Sequence, residues 1–377
     1  MKLLKLGITC INNLLKRNKT VVEKEVNKVE YRDYLYTTDG DSTSTDTPWR
    51  VRGDRKLPRY KVVEMDADAK TRRKHNMAHY LADEKIRYTI PGLVNANVMG
   101  KNCKSMVPQG VCKMDEYLLI TAYDSQGESN SIIYVLDNKG ELNATLVYDK
   151  KCHMGGIAYD GRYVWIAEGG RRGLGAISRE SMMAAINISK EKNAKSVKLK
   201  DIIWQQASEL EGTSCCGYFD KRLWIGEFDK NKESHIYGYT VDYSSGLPKI
   251  NADRYIKAPK RTQGICFYKD DKKVHLIVST SYGRHNNSVI RCYGLDDYYG
   301  PREQKGKVWV IDRKNEYKTI ALPSMLEQIS IDGELVYCIH ESGADKYLMN
   351  RDKYGYSSRP IGRAYVLEVK SMIGTGK

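Results

Sequence analysis

Short apolar runs separated by polar turns dominate the chain from about Ile86 onward. The runs are aliphatic and aromatic and the turns are rich in Gly, Asp and Asn, a pattern typical of β-strands. Residues 1–36 instead carry a periodic mixture of apolar and charged positions, which predicts a helix. A polar linker follows to residue 47, and residues 48–85 form a basic stretch without a clear period. We therefore expect a helical and irregular N-terminal extension before a β domain over residues 86–377.

The β region repeats a pair of strands five times. The first strands begin near Val107, His153, Leu210, Thr262 and Leu326. The second strands begin at Tyr117, Tyr163, Arg222, Val274 and Leu335. A third strand often follows, as in SIIYVLD, HIYGYTVD, KVWVID and RAYVLEV. Such an irregular repeat predicts an all-β fold, a five-bladed β-propeller.

Two further features agree with a closed ring of blades. Small residues occupy one matching position of the first strands, where a large side chain would collide across the axis: Cys112, Ala158, Ser214, Cys266 and Ser330. The segment Ile86–Pro91 resembles the outer strands of other repeats, so we expect it to complete the last blade beside Ala364–Val369. That pairing would remove an exposed strand edge. A sixth blade within residues 48–105 is the alternative.

Acidic and amide residues collect at one end of these strands. Antiparallel neighbours bring the start of each first strand and the end of each second strand to the same rim. Five glutamates from three blades are therefore expected at one mouth of the axial channel, together with amide and histidine side chains. The rim residues are Gln109, His153, Glu168, Glu211, Glu227, Gln263, Glu327, His340 and Glu341. Two neighbouring segments add to this rim: SYGR, with Tyr282 and Arg284, and the polar loop ESGADKY.

Carboxylates packed this closely cannot all stay ionised without compensation, and three solutions are open. Ca²⁺ or another divalent cation would take oxygens from Glu211 and Glu327, completed by glutamine amides. One glutamate could instead stay protonated as an acid while another acts as a base, which makes Glu211, Glu327, Glu341 and His153 candidate catalytic residues. The third solution is ion pairing to arginine or lysine. The other rim residues, with Tyr282 and Arg284, are the predicted ligand-binding set.

The charge and composition of the chain restrict the kinds of molecule that the protein is expected to bind. The net charge is +15, but it is spread along the chain without a nucleic-acid-binding motif, which argues for a soluble surface and against a nucleic-acid partner. No apolar run is long enough to span a bilayer. The nine cysteines lack the paired spacing of zinc sites and favour a reducing compartment or an anaerobic source over a disulfide-stapled secreted protein. Residues 1–15 favour a cytoplasmic location only weakly, and membrane association and export stay open.

The segment LPSMLEQISIDGELVYCIHESGADKY, which begins at Leu322, resembles parts of uncharacterised bacterial propeller proteins, many of them exported. The ring of acidic and amide residues is also similar to that of five-bladed calcium-dependent nucleotidases and glycosidases, although none of their motifs matches residue by residue. The resemblance implies a propeller fold and brings no activity with it. No complete catalytic signature is present.

Two functions therefore remain open. The first is a metal-assisted or carboxylate-dependent hydrolase that acts on a small polar or carbohydrate substrate. The second is a non-catalytic propeller that binds a ligand or a protein partner at the same rim. A deep pocket with perturbed carboxyl groups would favour the enzyme, whereas glutamates that are all paired to arginine would favour the binding module.

Overall fold

A computed structural model describes residues 87–93, 95–170, 172–295, 298–299, 307–311, 315–348 and 360–374. The predicted N-terminal helix and linker (1–47) and the basic extension (48–85) lie outside these residues.

The described strands form five sheets of four or five strands and one separate hairpin. In each sheet the strands are given from the innermost outward. Blade 1 contains β4 (Met106–Met114), β5 (Tyr117–Asp124), β6 (Ile132–Leu136), β7 (Leu142–Val147) and β11 (Val197–Lys198). Blade 2 contains β8 (Gly156–Tyr159), β9 (Tyr163–Ala167), β10 (Gly173–Ser178) and β12 (Ile203–Gln206).

The remaining blades follow the same plan. Blade 3 contains β13 (Cys215–Phe219), β14 (Arg222–Gly226), β15 (Ser234–Asp242), β16 (Lys249–Ala258) and β20 (Lys307–Val310). Blade 4 contains β17 (Thr262–Lys269), β18 (Val274–Thr280), β19 (Ser288–Leu295) and β21 (Glu316–Leu322). Blade 5 contains β22 (Leu326–Asp332), β23 (Leu335–His340), β24 (Arg363–Glu368) and β1 (Arg87–Thr89). The hairpin is β2 (Ala96–Val98) with β3 (Lys101–Cys103).

The innermost strands close a ring. Each of β4, β8, β13, β17 and β22 contacts the next one, and β22 contacts β4. The fold is thus a five-bladed β-propeller, which confirms the predicted fold class. The described part of the alternative sixth blade forms only β1 and the β2–β3 hairpin.

The ring is closed by the two ends of the described domain. β1 pairs antiparallel with β24, with Tyr88 opposite Ala364. Tyr88 and Ile90 are buried in the apolar cluster that joins blade 5 to blade 1. The predicted outer strand therefore does complete the last blade, because burying its apolar face also covers an unpaired edge.

Two elements differ from the sequence interpretation. KVWVID does not supply the third strand of blade 4; its residues Lys307–Val310 form β20, which pairs parallel with β16 at the outside of blade 3. The true third strand is β19, in which Arg291 interrupts an otherwise apolar run. The helices α1 (Arg179–Glu191), α2 (Asp345–Leu348) and α3 (Val369–Ile373) also interrupt the strand pattern. Ser178 caps α1 by accepting a hydrogen bond from the backbone N–H of Ser181.

Gln328 occupies the propeller axis. Its side-chain oxygen accepts from the Ile157 N–H at 2.7 Å, and its amide donates to the carbonyls of Ile157 at 2.6 Å and Cys216 at 2.9 Å. Neighbouring strands leave room for it, since a Cβ at Gly110 would lie 2.8 Å from the Gln328 oxygen. The centre of the channel is therefore filled by one fully buried amide.

In blade 3, the small residue at the axis is three residues further along the chain than the sequence predicts. Ala158 lies opposite Trp165 in blade 2, and the equivalent position opposite Trp224 is Gly217. Ser214, the residue that the sequence predicts for this row, lies three residues earlier, so this prediction is wrong for blade 3. The steric argument still holds, because glycine is the smallest residue that the crowded axis can take.

Candidate functional site

Glu327 and Glu341 form a hydrogen-bonded carboxyl pair at one mouth of the axis. Glu327 lies in β22 and is buried, whereas Glu341 follows β23 and is half-buried. Both belong to blade 5, so the pair crosses two adjacent strands, as the rim argument predicts. It is the part of the predicted acidic cluster in which two carboxyl groups contact each other.

Two glutamines from other blades reach the same pair. Gln109 of blade 1 donates to Glu341 Oε2 at 3.1 Å, and Gln263 of blade 4 donates to Glu327 Oε1 at 3.4 Å. Gln109 is fully buried, and its side-chain oxygen has no hydrogen-bond partner among the described residues. A buried acceptor without a donor is costly, so this oxygen needs a hydrogen-bond donor that the described residues do not supply.

β-Bulges in the inner strands set the direction of three of these side chains. The pairing register shifts between Pro108 and Val111 in β4, between Thr262 and Gly264 in β17, and between Leu326 and Ile329 in β22. Each shift contains one of the site residues, Gln109, Gln263 or Glu327. Bulges break the alternation of faces and turn a side chain that would point into the sheet toward the mouth instead.

The electrostatics of the acidic pair favour a single shared proton. Burial and the charge of Glu341 hold the pKa of Glu327 well above its usual range, and burial also raises the pKa of Glu341. Glu341 accepts from Gln109 and, at 2.8 Å, from the hydroxyl of Tyr347, and these donors favour its ionised form. The proton therefore belongs on Glu327, and the pair offers one donor and one acceptor.

Aromatic and cationic side chains surround this pair. The Lys346 ammonium donates to the Tyr123 hydroxyl at 3.3 Å, and Arg284 lies 5.1 Å from the centre of the Tyr347 ring. The rings of Tyr123 and His153 are 4.5 Å apart. Burial raises the pKa of both tyrosines, so each hydroxyl keeps its proton. The mouth thus combines flat ring surfaces with polar groups.

His153 is exposed at the outer edge of this mouth. Burial of part of its ring among protein atoms, together with the charge of Lys346, lowers its pKa to about 4. Its position depends on Gly169, which has φ +97° and whose Cβ would lie only 2.8 Å from the His153 Cβ. His153 is consequently neutral near pH 7 and can offer a ring nitrogen to a ligand.

The other three glutamates have different partners. Glu168 is buried and accepts from Lys150 and from the Tyr148 hydroxyl, each at 3.0 Å. Glu211 is 89% exposed and pairs with Arg172 at 3.0 Å. Glu227 accepts from the backbone N–H of Glu211 at 3.1 Å. Ion pairing, the third solution, is therefore what the structure shows at Glu168 and Glu211.

Two further predicted residues are held by their own neighbours. His340 is fully buried between the Ser324 carbonyl at 3.0 Å and the Tyr365 hydroxyl at 2.8 Å, and burial lowers its pKa to about 4. Tyr282 lies between two cations, with Lys230 at 4.6 Å and Arg261 at 5.0 Å from its ring.

Tyr347 and Tyr123 were absent from the predicted set. Tyr347 lies in α2, within the polar loop ESGADKY, so its proximity to the rim had a sequence signal. Tyr123 lies near the end of β5, where blades 2 and 3 place a glutamate one residue further along. The sequence gives no signal that the Tyr123 ring contacts His153, because His153 belongs to the next blade.

No group of three or more His, Cys, Asp or Glu side chains suited to a metal ion occurs among the described residues. In the same part of the chain, the cysteines form no disulfide. None of the described helices combines the length and apolar character needed to cross a membrane.

A separate cavity of about 540 Å³ lies between blades 3 and 4. Its wall includes Lys257 and Pro259 at the end of β16, and Arg291 and Tyr293 in β19. None of the predicted rim residues lines it. This cavity and the Glu327–Glu341 pair are thus two different places.

Neither a known protein family nor a curated protein matches the sequence. Among solved structures, the Myxococcus xanthus glutaminyl cyclase is similar at 8% identity and a TM-score of 0.39, over 75% of this chain and 95% of that one. The WD40 β-propeller domain of Doa1 is similar at 8% identity and a TM-score of 0.34, over 77% of this chain and 96% of that one. Likenesses at this level of identity concern the fold alone.

Proposed function

We propose that the protein binds a small, neutral, hydroxyl-rich ligand, such as a sugar unit, at the axial mouth. The observation that carries the proposal is the Glu327–Glu341 pair, which presents a proton donor beside a proton acceptor. A hydroxyl group needs both roles at once, because it donates one hydrogen bond and accepts others. The unpartnered oxygen of Gln109 adds a further acceptor.

The surroundings favour a ligand with flat apolar faces and polar edges. Tyr123, Tyr347 and His153 supply ring surface at the mouth. Binding sites of this kind are mostly apolar walls with a few fixed polar groups. Lys346 lies close enough to lower the pKa of both carboxyls, so its charge balances the single negative charge of the pair. A neutral ligand fits this balance better than an ion does.

Hydrolysis is a second candidate, favoured by the shared proton. Glycoside cleavage requires carboxyl groups about 5 Å or more apart, so that the sugar or a water fits between them. Carboxyls that are hydrogen-bonded to each other stand closer than that. The pair is instead comparable to two carboxyls that share one proton and activate a water. We therefore place binding ahead of sugar hydrolysis, and expect any hydrolysis to occur at a carbonyl.

A divalent cation is a further proposal for the same oxygens. Ca²⁺ would take Glu327, Glu341 and the Gln109 oxygen, which are the ligand types it prefers. Glu211, proposed for this role from the sequence, is paired with Arg172 on the surface. Because a cation displaces the shared proton, its affinity must rise with pH. A neutral sugar has no such requirement.

The test is a thermal unfolding titration at pH 6 and pH 8 with glucose, galactose, mannose, N-acetylglucosamine and CaCl₂. We expect at least one sugar to raise the Tm of the wild type saturably. Glu327→Gln should retain binding, because its amide still donates to Glu341. Glu341→Gln should lose binding, because the acceptor is gone.

Glu211→Gln is the matched control. It makes the same substitution at a glutamate that the sequence also predicts at this rim, but that is exposed and paired with Arg172. Its ligand response should equal that of the wild type. If no sugar shifts the Tm, or if Glu341→Gln responds like the wild type, the proposal is wrong. A shift with CaCl₂ alone that grows from pH 6 to pH 8 would assign the site to a cation.

A further inference from the structure

Cations outnumber acids in the wall of the cavity between blades 3 and 4. Five lysine and arginine residues border it, against two glutamates. Both acids are already paired: Glu233 with Lys257 at 3.2 Å, and Glu316 with Arg291 at 2.6 Å. The Arg291–Glu316 pair is buried, so its two charges are held in place within the wall.

Three lining cations form no ion pair with the two acids of the wall, although Lys232 lies beside Asp229, whose carboxylate accepts from the Lys232 backbone N–H at 2.8 Å. They are Lys232, Lys260 and Arg261. Lys232 lies in the loop between β14 and β15, and the other two lie in the connection from β16 to β17. These two connections belong to the same face of the propeller, so the positive charges gather at one edge of one cavity.

Arg261 is held in an unusual conformation there. Its φ is +67°, a left-handed value that bulky residues rarely adopt. Its backbone N–H donates to the Asp229 carbonyl at 2.8 Å, and its side-chain Nε donates to the Lys230 carbonyl at 3.1 Å. Its guanidinium also lies 5.0 Å from the centre of the Tyr282 ring. Such strain persists where surrounding contacts fix it, and it concentrates at binding sites.

We propose that this cavity binds a small organic anion with two or three negative charges, carried by phosphate or carboxylate groups. Its volume of about 540 Å³ falls within the range of small-molecule sites. Five cations against two acids give the wall an excess of positive charge, and arginine and lysine bind phosphate and carboxylate oxygens through charge-assisted hydrogen bonds. This site is independent of the axial mouth and of the ligand proposed for it.

Isothermal titration calorimetry with pyrophosphate and with citrate, at one ionic strength fixed by NaCl, tests the proposal. We expect saturable one-site binding of at least one probe. The double variants Lys260→Gln/Arg261→Gln and Lys232→Gln/Lys260→Gln should each weaken Kd about tenfold or more. The second pair leaves Arg261 and its strained backbone untouched, so it tests the charge even if the first variant unfolds.

Lys192→Gln is the control, because it removes one exposed lysine at the end of α1 in another part of the propeller. Its Kd should match the wild type, and so should that of Glu341→Gln at the axial mouth. Binding of pyrophosphate alone assigns phosphate groups, and binding of citrate alone assigns carboxylates. The proposal is overturned if neither probe saturates, or if both double variants bind as tightly as the wild type.

Discussion

Gln328 shows how much a single side chain decides at the axis. At its position the other inner strands carry glycine or cysteine, namely Gly110, Gly156, Cys215 and Gly264. The glutamine fills the space they leave and ties three inner strands together through hydrogen bonds to Ile157 and Cys216. A buried amide with all these bonds made is stabilising, whereas its removal would leave buried backbone groups without partners.

Gln328→Ala should therefore lower the free energy of unfolding by about 3 kcal/mol, from unsatisfied backbone groups and from the cavity left behind. Urea denaturation monitored by tryptophan fluorescence measures the change. Gln126→Ala is the control, because Gln126 is exposed in a loop and its loss should change stability by less than about 0.5 kcal/mol. Equal effects of the two substitutions would show that the axial amide contributes nothing.

At the scale of elements, the pairing of β1 with β24 is what turns five sheets into a closed ring. β1 has only three residues, so its backbone bonds alone are few. Its neighbours Tyr88 and Ile90 are buried against blade 5 and blade 1, and this burial supplies the apolar contribution to closure. The strand thus depends on tertiary packing rather than on its own propensity.

A disulfide across this closure should stabilise the propeller. Thr89 and Arg363 are directly opposite in the antiparallel pair, within the separation that a disulfide spans. The double variant Thr89→Cys/Arg363→Cys would close a loop that includes nearly the whole β domain, with an expected gain of about 4 kcal/mol when oxidised. The measurement is the urea midpoint before and after reduction, with disulfide formation confirmed by mass spectrometry.

Thr89→Ser/Arg363→Ser serves as the control, since it alters the same two side chains without a cross-link. Its urea midpoint should not respond to the reductant. A disulfide that forms without raising the midpoint would mean that β1 is not part of the cooperative unit.

For the whole molecule, buried ionisable groups should lower the free energy of unfolding both when the pH rises and when it falls. The folded pKa of Glu327 is raised, so its contribution is complete below the ordinary value of 4.5 and is lost as pH rises through the folded value. The pKa of His340 is lowered from 6.5 to about 4, so its contribution is present above 6.5 and is lost as pH falls toward 4. The two groups act in opposite directions.

Replacement of Glu327 should therefore reduce the loss of unfolding free energy at high pH, and replacement of His340 should reduce the loss at low pH, which we call the acid limb. Glu327→Gln, which needs no bound proton, should gain stability relative to the wild type as pH rises above 4.5, the ordinary pKa of a glutamate. His340→Gln should lose the acid limb between pH 6.5 and 4, on the order of 3 kcal/mol for a shift of this size. Urea denaturation at each pH measures both slopes.

Glu211→Gln is again the comparison, because its exposed side chain should leave both limbs unchanged. If Glu327→Gln followed the wild-type slope at high pH, the two carboxyls would not be sharing a proton. A His340→Gln curve with the full acid limb would place that titration elsewhere.

The repeat of strands by itself determined the propeller, the number of blades and the closing strand, since each depends on local patterns of apolar residues and turns. It also placed Glu327 and Glu341 at one rim, because the ends of antiparallel neighbours meet there. The sequence could not reveal which glutamates touch. The β-bulges at Gln109, Gln263 and Glu327 break the two-residue period, and ion pairs with Lys150 and Arg172 engage Glu168 and Glu211.

Only the tertiary structure decided the remaining features, and each depends on contacts between blades. KVWV carries the alternation of an outer strand, and its parallel partner β16 lies far away in sequence. The basic cavity joins residues of blades 3 and 4, and Gln328 meets its partners across the axis. Local patterns set which segments become strands, whereas distances across the ring set which side chains share a proton, a charge or a hydrogen bond.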